Sequence, residues 1–234
     1  MQARTKLVSK PRAQAGGSSS LALAGRSLAA LLLSLPLHAE VLDRIAVTVD
    51  KQVIAESDIL RFLRAGALID GKPVDLSASA KRAAAASLVD HALMMMDAAD
   101  SHFVLPSAED EEPLLQEVKG HYPNDAAFID ALKEYHITRQ DLVDHLVAGA
   151  RDLRFETLRF SPEVQISDSD LHAGYDKLAA EWRASHTEPP PSFEESRAGV
   201  EKVITGERTS QLRDQWLETA RMEKHVDYRE AAFQ

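Results

Sequence analysis

The sequence predicts an all-α fold, mainly helical, with a minor β-hairpin near residue 45 and a short strand close to the C-terminus. Three observations carry this. Apolar residues recur at helical spacing over most of the chain after residue 57. Capping residues stand ahead of several of those segments. Period-two alternation is confined to residues 45–54, with a possible last strand at 226–228.

The chain opens differently from how it continues. Arg4, Lys6, Lys10, Arg12 and Arg26 are its only charged residues before Glu40. Ser27 to Leu37 is an almost wholly apolar run, and His38-Ala39 follows it. A basic start, a short apolar run and a small residue before an acid read as a secretory signal over residues 1–39, cut between Ala39 and Glu40. The alternative is a leader kept as an anchor. The run is much shorter than the ~20 residues of a spanning helix, so no stable membrane span is expected once the leader is removed. No cysteine occurs to carry a lipid.

Residues 40–182 are expected to form one helical domain. Ile45, Val47 and Val49 alternate with Ala46 and Thr48, and Asp50-Lys51-Gln52 turns the chain back to Val53-Ile54. An isolated hairpin is marginal, so this one must dock on something. Ser57 is positioned to cap a helix reaching about Ala65, with Gly66 and Gly71-Lys72-Pro73 as a loop. An alanine-rich helix follows from near Ser79 to near Ser101, burying Leu88, Val89, Ala92, Leu93 and Met96. Pro113 is tolerated only in a first turn, which starts the next helix near Asp110. Asn124 caps a short helix with Phe128, Ile129 and Leu132. Thr138 and Asp141 resemble a capping box, with Ile137 and Leu142 as a staple. Leu142, Val143, Leu146, Val147, Ala150, Leu153 and Leu158 form the stripe of that helix, and Pro162 ends it. Ser167 and Asp170 repeat the device ahead of Leu171, Tyr175, Leu178 and Trp182.

Thr187-Glu188-Pro189-Pro190-Pro191 cannot continue a helix, so residues 183–191 read as a stiff connector. Ser192 and Glu195 then open a last helix, from Phe193 to about Lys224, within a C-terminal part spanning 192–234. Val200, Val203, Ile204, Leu212, Trp216 and Ala220 mark its buried side, and Gly206 suggests a bend. Val226-Asp227-Tyr228 suits a last strand.

Without the leader, 22 basic residues face 37 acidic ones, a formal charge of −15. That argues against nucleic acid, whose binding depends on Lys and Arg displacing counterions. The absence of cysteine excludes disulfides and thiol chemistry. No phosphate loop, nucleophile elbow or zinc-helix motif occurs. His121, His136 and His145 lack ligand spacing, and Glu109 to Glu112 read as acids favoured at a helix start. No catalytic, cofactor or metal residue is therefore expected. Met94-Met95-Met96 cannot all face one way on a helix. Core filling is the first use of such residues, and an exposed methionine suits adaptable apolar binding.

Asp43-Arg44-Ile45-Ala46-Val47-Thr48-Val49-Asp50, then Val53-Ile54-Ala55-Glu56-Ser57-Asp58, resembles the opening of the SurA-type periplasmic chaperones. Thr48 and Asp50 depart from that pattern. Leu88-Val89-Asp90 through Met96, with Phe103-Val104-Leu105-Pro106-Ser107, resembles the family's second helix and its exit. Val164-Gln165-Ile166-Ser167-Asp168 with Tyr175, and Ser192-Phe193-Glu194-Glu195 with Trp216-Leu217 and Val226-Asp227-Tyr228, resemble its later helices and last strand. Many relatives carry a parvulin prolyl-isomerase domain between these last two parts. Here only residues 183–191 lie there, too few to fold as a domain.

The resemblance implies one core built from the N-terminal helices and the C-terminal helix, with the first strands near the last. It implies an ATP-independent periplasmic holdase whose apolar groove takes unfolded or extended exported polypeptides. Met94, Met95 and Phe103 are the expected client contacts. A dedicated adaptor of the cell envelope is the alternative. A prolyl isomerase by family name is a further one, without expected activity.

Overall fold

The computed structural model describes residues 43–107 and 111–234. The leader, the cut at Ala39 and Glu40, and the acids Glu109 and Asp110 lie outside the described residues. The described chain is mostly helical, with seven α-helices and one small antiparallel sheet.

The sheet has the order β2-β1-β3, where β1 is Ile45–Val49, β2 is Gln52–Ala55 and β3 is Val226–Tyr228. The expected hairpin is thus completed by the last strand. Its register shifts between Ile45 and Val47, so the strict alternation read from sequence is broken there. Ala46, Val47 and Val49 are all buried in consequence. Asp50 turns the hairpin at φ 49°, a left-handed conformation that Asp tolerates. Its backbone N–H donates to the His225 carbonyl, and its carboxylate accepts the His225 N–H, so the turn also fixes where β3 begins.

Helix α1 runs from Glu56 to Asp70, longer at both ends than the sequence reading. Ala55, not Ser57, is the capping position. Its N–H is taken by Asp58 at 2.8 Å, while the Ser57 hydroxyl bonds back to Asp43. Gly66 is absorbed in the helix, and the stop comes at Gly71, whose φ of 64° favours a residue without Cβ. Helix α2, Ala78–Asp100, is capped by Ser77.

Helix α3 covers Glu111–Lys119, with Pro113 in its first turn as the sequence requires. Helix α4, Asp125–Glu134, is capped by Asn124. Helix α5, Arg139–Arg159, carries the Thr138–Asp141 capping box. Leu153 lies outside its expected stripe, 67 % exposed, and Phe155 takes the buried place. Helix α6, Asp168–Ser185, and helix α7, Phe193–Glu223, have the expected boxes at Ser167–Asp170 and Ser192–Glu195. Each such cap is worth about 1 kcal/mol. Helix α7 is continuous through Gly206.

Three apolar clusters result. The largest joins the sheet to α1, α2, the end of α5 and the C-terminal half of α7, and includes Phe155, Phe160 and Phe233. A second joins α1, α3, α4 and the start of α5. The third is Leu171, Val200 and Ile204 between α6 and the N-terminal half of α7. One long helix therefore belongs to two cores.

Candidate functional site

Where α1, α2 and α5 splay apart above β2, they leave a cleft of about 790 Å³. That is within the range of ligand-sized sites. Its walls follow from helical spacing. Ser87, Leu88, His91, Ala92 and Met95 come from one face of α2, at i, i+1, i+4, i+5 and i+8. Asp141, Asp144, His145, Ala148, Gly149 and Asp152 come from one face of α5. Helix α1 adds Asp58, Arg61 and Phe62, and β2 adds Gln52 and Ile54. The α2 wall is largely apolar and the α5 wall is acidic. Ala148 and Gly149 are small, which leaves room between them.

Charges at one end are tied to the helix starts. Arg61 bonds Asp58 and reaches Asp141 at 3.8 Å, which joins the first turns of α1 and α5. Burial opposes the Asp141 charge, but hydrogen bonds from Thr138 and the nearby Arg61 outweigh it. Its pKa is held below the ordinary carboxylate value. Asp144 accepts from Gln140 at 2.8 Å and is exposed, with no cation against it among the described residues. At the other end Asp152 bonds His91 Nδ1 at 2.6 Å, across from α5 to α2. His145 packs edge-on against Phe62, with ring centroids 4.9 Å apart. Burial pushes its pKa down, so the ring is neutral at pH 7.

Ser87, His91 and Asp152 share this cleft, a trio that invites comparison with a catalytic triad. The geometry is wrong for one. The Ser87 hydroxyl donates to the Ala83 carbonyl at 3.2 Å rather than to His91. It sits mid-helix, where neighbouring backbone N–H groups are spent on the helix and none is left to stabilise an oxyanion. Among the described residues no group of three or more His, Asp or Glu is arranged to hold a metal ion. Of His121, His136 and His145 only His145 faces the cleft; His136 follows α4 at φ 54°.

The expected client contacts are not brought together. Met95 lines the cleft. Met94 is 4 % exposed and belongs to the main core, so it has no surface to offer a client. The helix turns about 100° between these neighbours, which sends Met94 into the main core and Met95 to the cleft. Phe103 is half-buried, its ring 6.0 Å from that of Phe155, and it is not part of the cleft walls. The sequence reading missed the α5 wall altogether. Its signal was present as the complement of the apolar stripe, with acids at 141, 144 and 152 on one polar face.

A smaller hollow of about 340 Å³ lies between α6, α7 and the proline stretch. Tyr175 and Trp182 line it, but both are committed. They donate to the carbonyls of Pro191 and Glu188 and so strap the connector to α6. Among the described residues no helix is long and apolar enough to cross a membrane. No protein-family model, curated protein or solved structure matches this chain.

Proposed function

We propose that the protein is an ATP-independent holdase of SurA type, without an isomerase domain, that acts on unfolded or extended polypeptides after export to the periplasm. The cleft between α1, α2 and α5 carries this reading. Phe62, Leu88, Ala92, Met95 and Ile54 give it an apolar lining that an extended chain can bury. A half-buried methionine in such a wall adapts to different side chains. The mid-helix Ser87 and the committed backbone around it favour binding over bond cleavage. The connector between α6 and α7 has no space for an isomerase domain.

The test is light scattering of an unfolded outer-membrane-type β-barrel protein diluted from denaturant. Suppressed aggregation by the purified protein without ATP is the expected result, weakened by Met95→Glu, which puts a charge on the apolar wall. No suppression at several-fold excess, with native circular dichroism, would leave a dedicated envelope adaptor as the better account.

A further inference from the structure

The two long walls of the cleft differ in kind. On α2, Leu88, Ala92 and Met95 are apolar. On α5, Asp144 and Asp152 stand eight residues apart on the same face. Eight helical residues span about 12 Å. Four residues of extended chain span about 13 Å. An extended strand sends successive side chains to opposite sides, so one lying along the cleft would turn alternate residues to α2 and the intervening ones to α5. The rim supplies four carboxylates against the single guanidinium of Arg61, which Asp58 and Asp141 already engage, and the His91 ring, which Asp152 bonds at 2.6 Å. The Asp144 carboxylate has no cation beside it among the described residues. The chain as a whole carries a formal charge of −10, which draws cationic segments in and repels acidic ones.

We infer that the preferred occupant of the cleft is an extended polypeptide segment alternating apolar and basic residues. Its apolar side chains lie on α2 and its Lys or Arg side chains reach Asp144 and Asp152 on α5. This rests on the reading of the cleft as a polypeptide-binding site and names the sequence class it selects. Screening limits the electrostatic part: the Debye length is about 10 Å at 0.1 M salt. A partly exposed ion pair of this kind is worth up to roughly fivefold in affinity, and two of them more.

The test uses fluorescence anisotropy with three labelled nonapeptides. One alternates leucine and arginine; in the others glutamine or glutamate replaces every arginine. The arginine peptide is expected to bind the purified protein about five- to tenfold more tightly than the glutamine peptide. The glutamate peptide should bind most weakly, and raising salt from about 20 to 200 mM should narrow the spread. Asp144→Lys should abolish the preference for arginine. Asp144→Asn, which keeps an oxygen for Gln140, should reduce it. Equal binding of the arginine and glutamine peptides overturns the inference and leaves the polypeptide-binding reading standing. An unchanged preference in Asp144→Lys overturns the placement on α5. Binding of none of the three overturns the underlying reading as well.

Discussion

The indole ring of Trp216 on α7 lies 5.6 Å from the ring of Phe155 on α5, centroid to centroid, and Phe160 closes the group at 5.8 and 5.9 Å. These three rings join the C-terminal half of α7 to the helix that forms the acidic wall of the cleft. Phe155 is fully buried at their centre. Tilted and edge-on pairs of this kind contribute about 0.5–1.5 kcal/mol each beyond the area they bury.

Phe155→Ala should therefore cost about 3–5 kcal/mol, the loss expected for emptying a buried aromatic site. Urea unfolding followed by tryptophan fluorescence measures it, since Trp216 reports on the cavity. A loss below 1 kcal/mol would mean that α7 is not anchored through this residue. Leu153→Ala, at an exposed position two residues earlier, should change stability by less than about 0.5 kcal/mol.

Gly174 on α6 faces α7 so closely that a Cβ would meet Ile204 Cδ1 at 2.8 Å and Val200 Cγ1 at 3.0 Å. Gly174→Leu should destabilise by about 1–3 kcal/mol through overpacking. Gly206 in α7 has open space around it. Gly206→Ala should stabilise by about 0.5–1 kcal/mol, because alanine is the better helix former. Thermal unfolding of the two variants should move in opposite directions. A shift of the same sign in both would place the α6–α7 contact elsewhere.

His145 should make stability depend on pH on the acidic side of neutrality. Burial lowers its folded pKa below the 6.5 of the free side chain. Above that value neither state holds the proton, and the contribution is fully present. As pH falls below 6.5 the unfolded chain takes up a proton that the folded chain resists, so stability is lost until the folded pKa is passed. The urea midpoint should drop between pH 7.5 and 5 by more in the native sequence than in His145→Gln. Parallel profiles would show that this ring does not cause the loss.

Asp170 sets a second, more acidic dependence. Its carboxylate accepts the Ser167 N–H, pairs with Arg208 and takes the Ser167 hydroxyl, which together lower its pKa from 3.8 to about 2. Its stabilising effect is present above pH 3.8 and lost as pH falls towards 2. A carboxyl titration by NMR should find Asp170 among the most acidic aspartates. A midpoint near 3.8 would mean that the cap at the start of α6 is not formed.

Much of the fold was legible in local chemistry. Asn124, Thr138, Ser167 and Ser192 each cap a helix as read, and each is a short polar side chain able to take a free N–H; the Ser77 cap of α2 was not read. Pro113 fixed the first turn of α3 by having no N–H to give. The alternation at 45–49 gave the central strand. These signals act within four residues, so sequence alone carries them. The helix ends were less legible. His102 and His136 follow α2 and α4 in the left-handed conformation, for which the sequence offers no glycine there.

What the sequence determined, then, is the helical class, the order of elements and the caps that start them. Tertiary structure alone decided that Met94 is core while Met95 lines a cleft, and that Phe155 outranks Leu153. It also set the acidic face of α5 opposite the apolar face of α2. The physical reason is that burial belongs to pairs of surfaces. A helix states its own periodicity, but which side is covered depends on what packs against it.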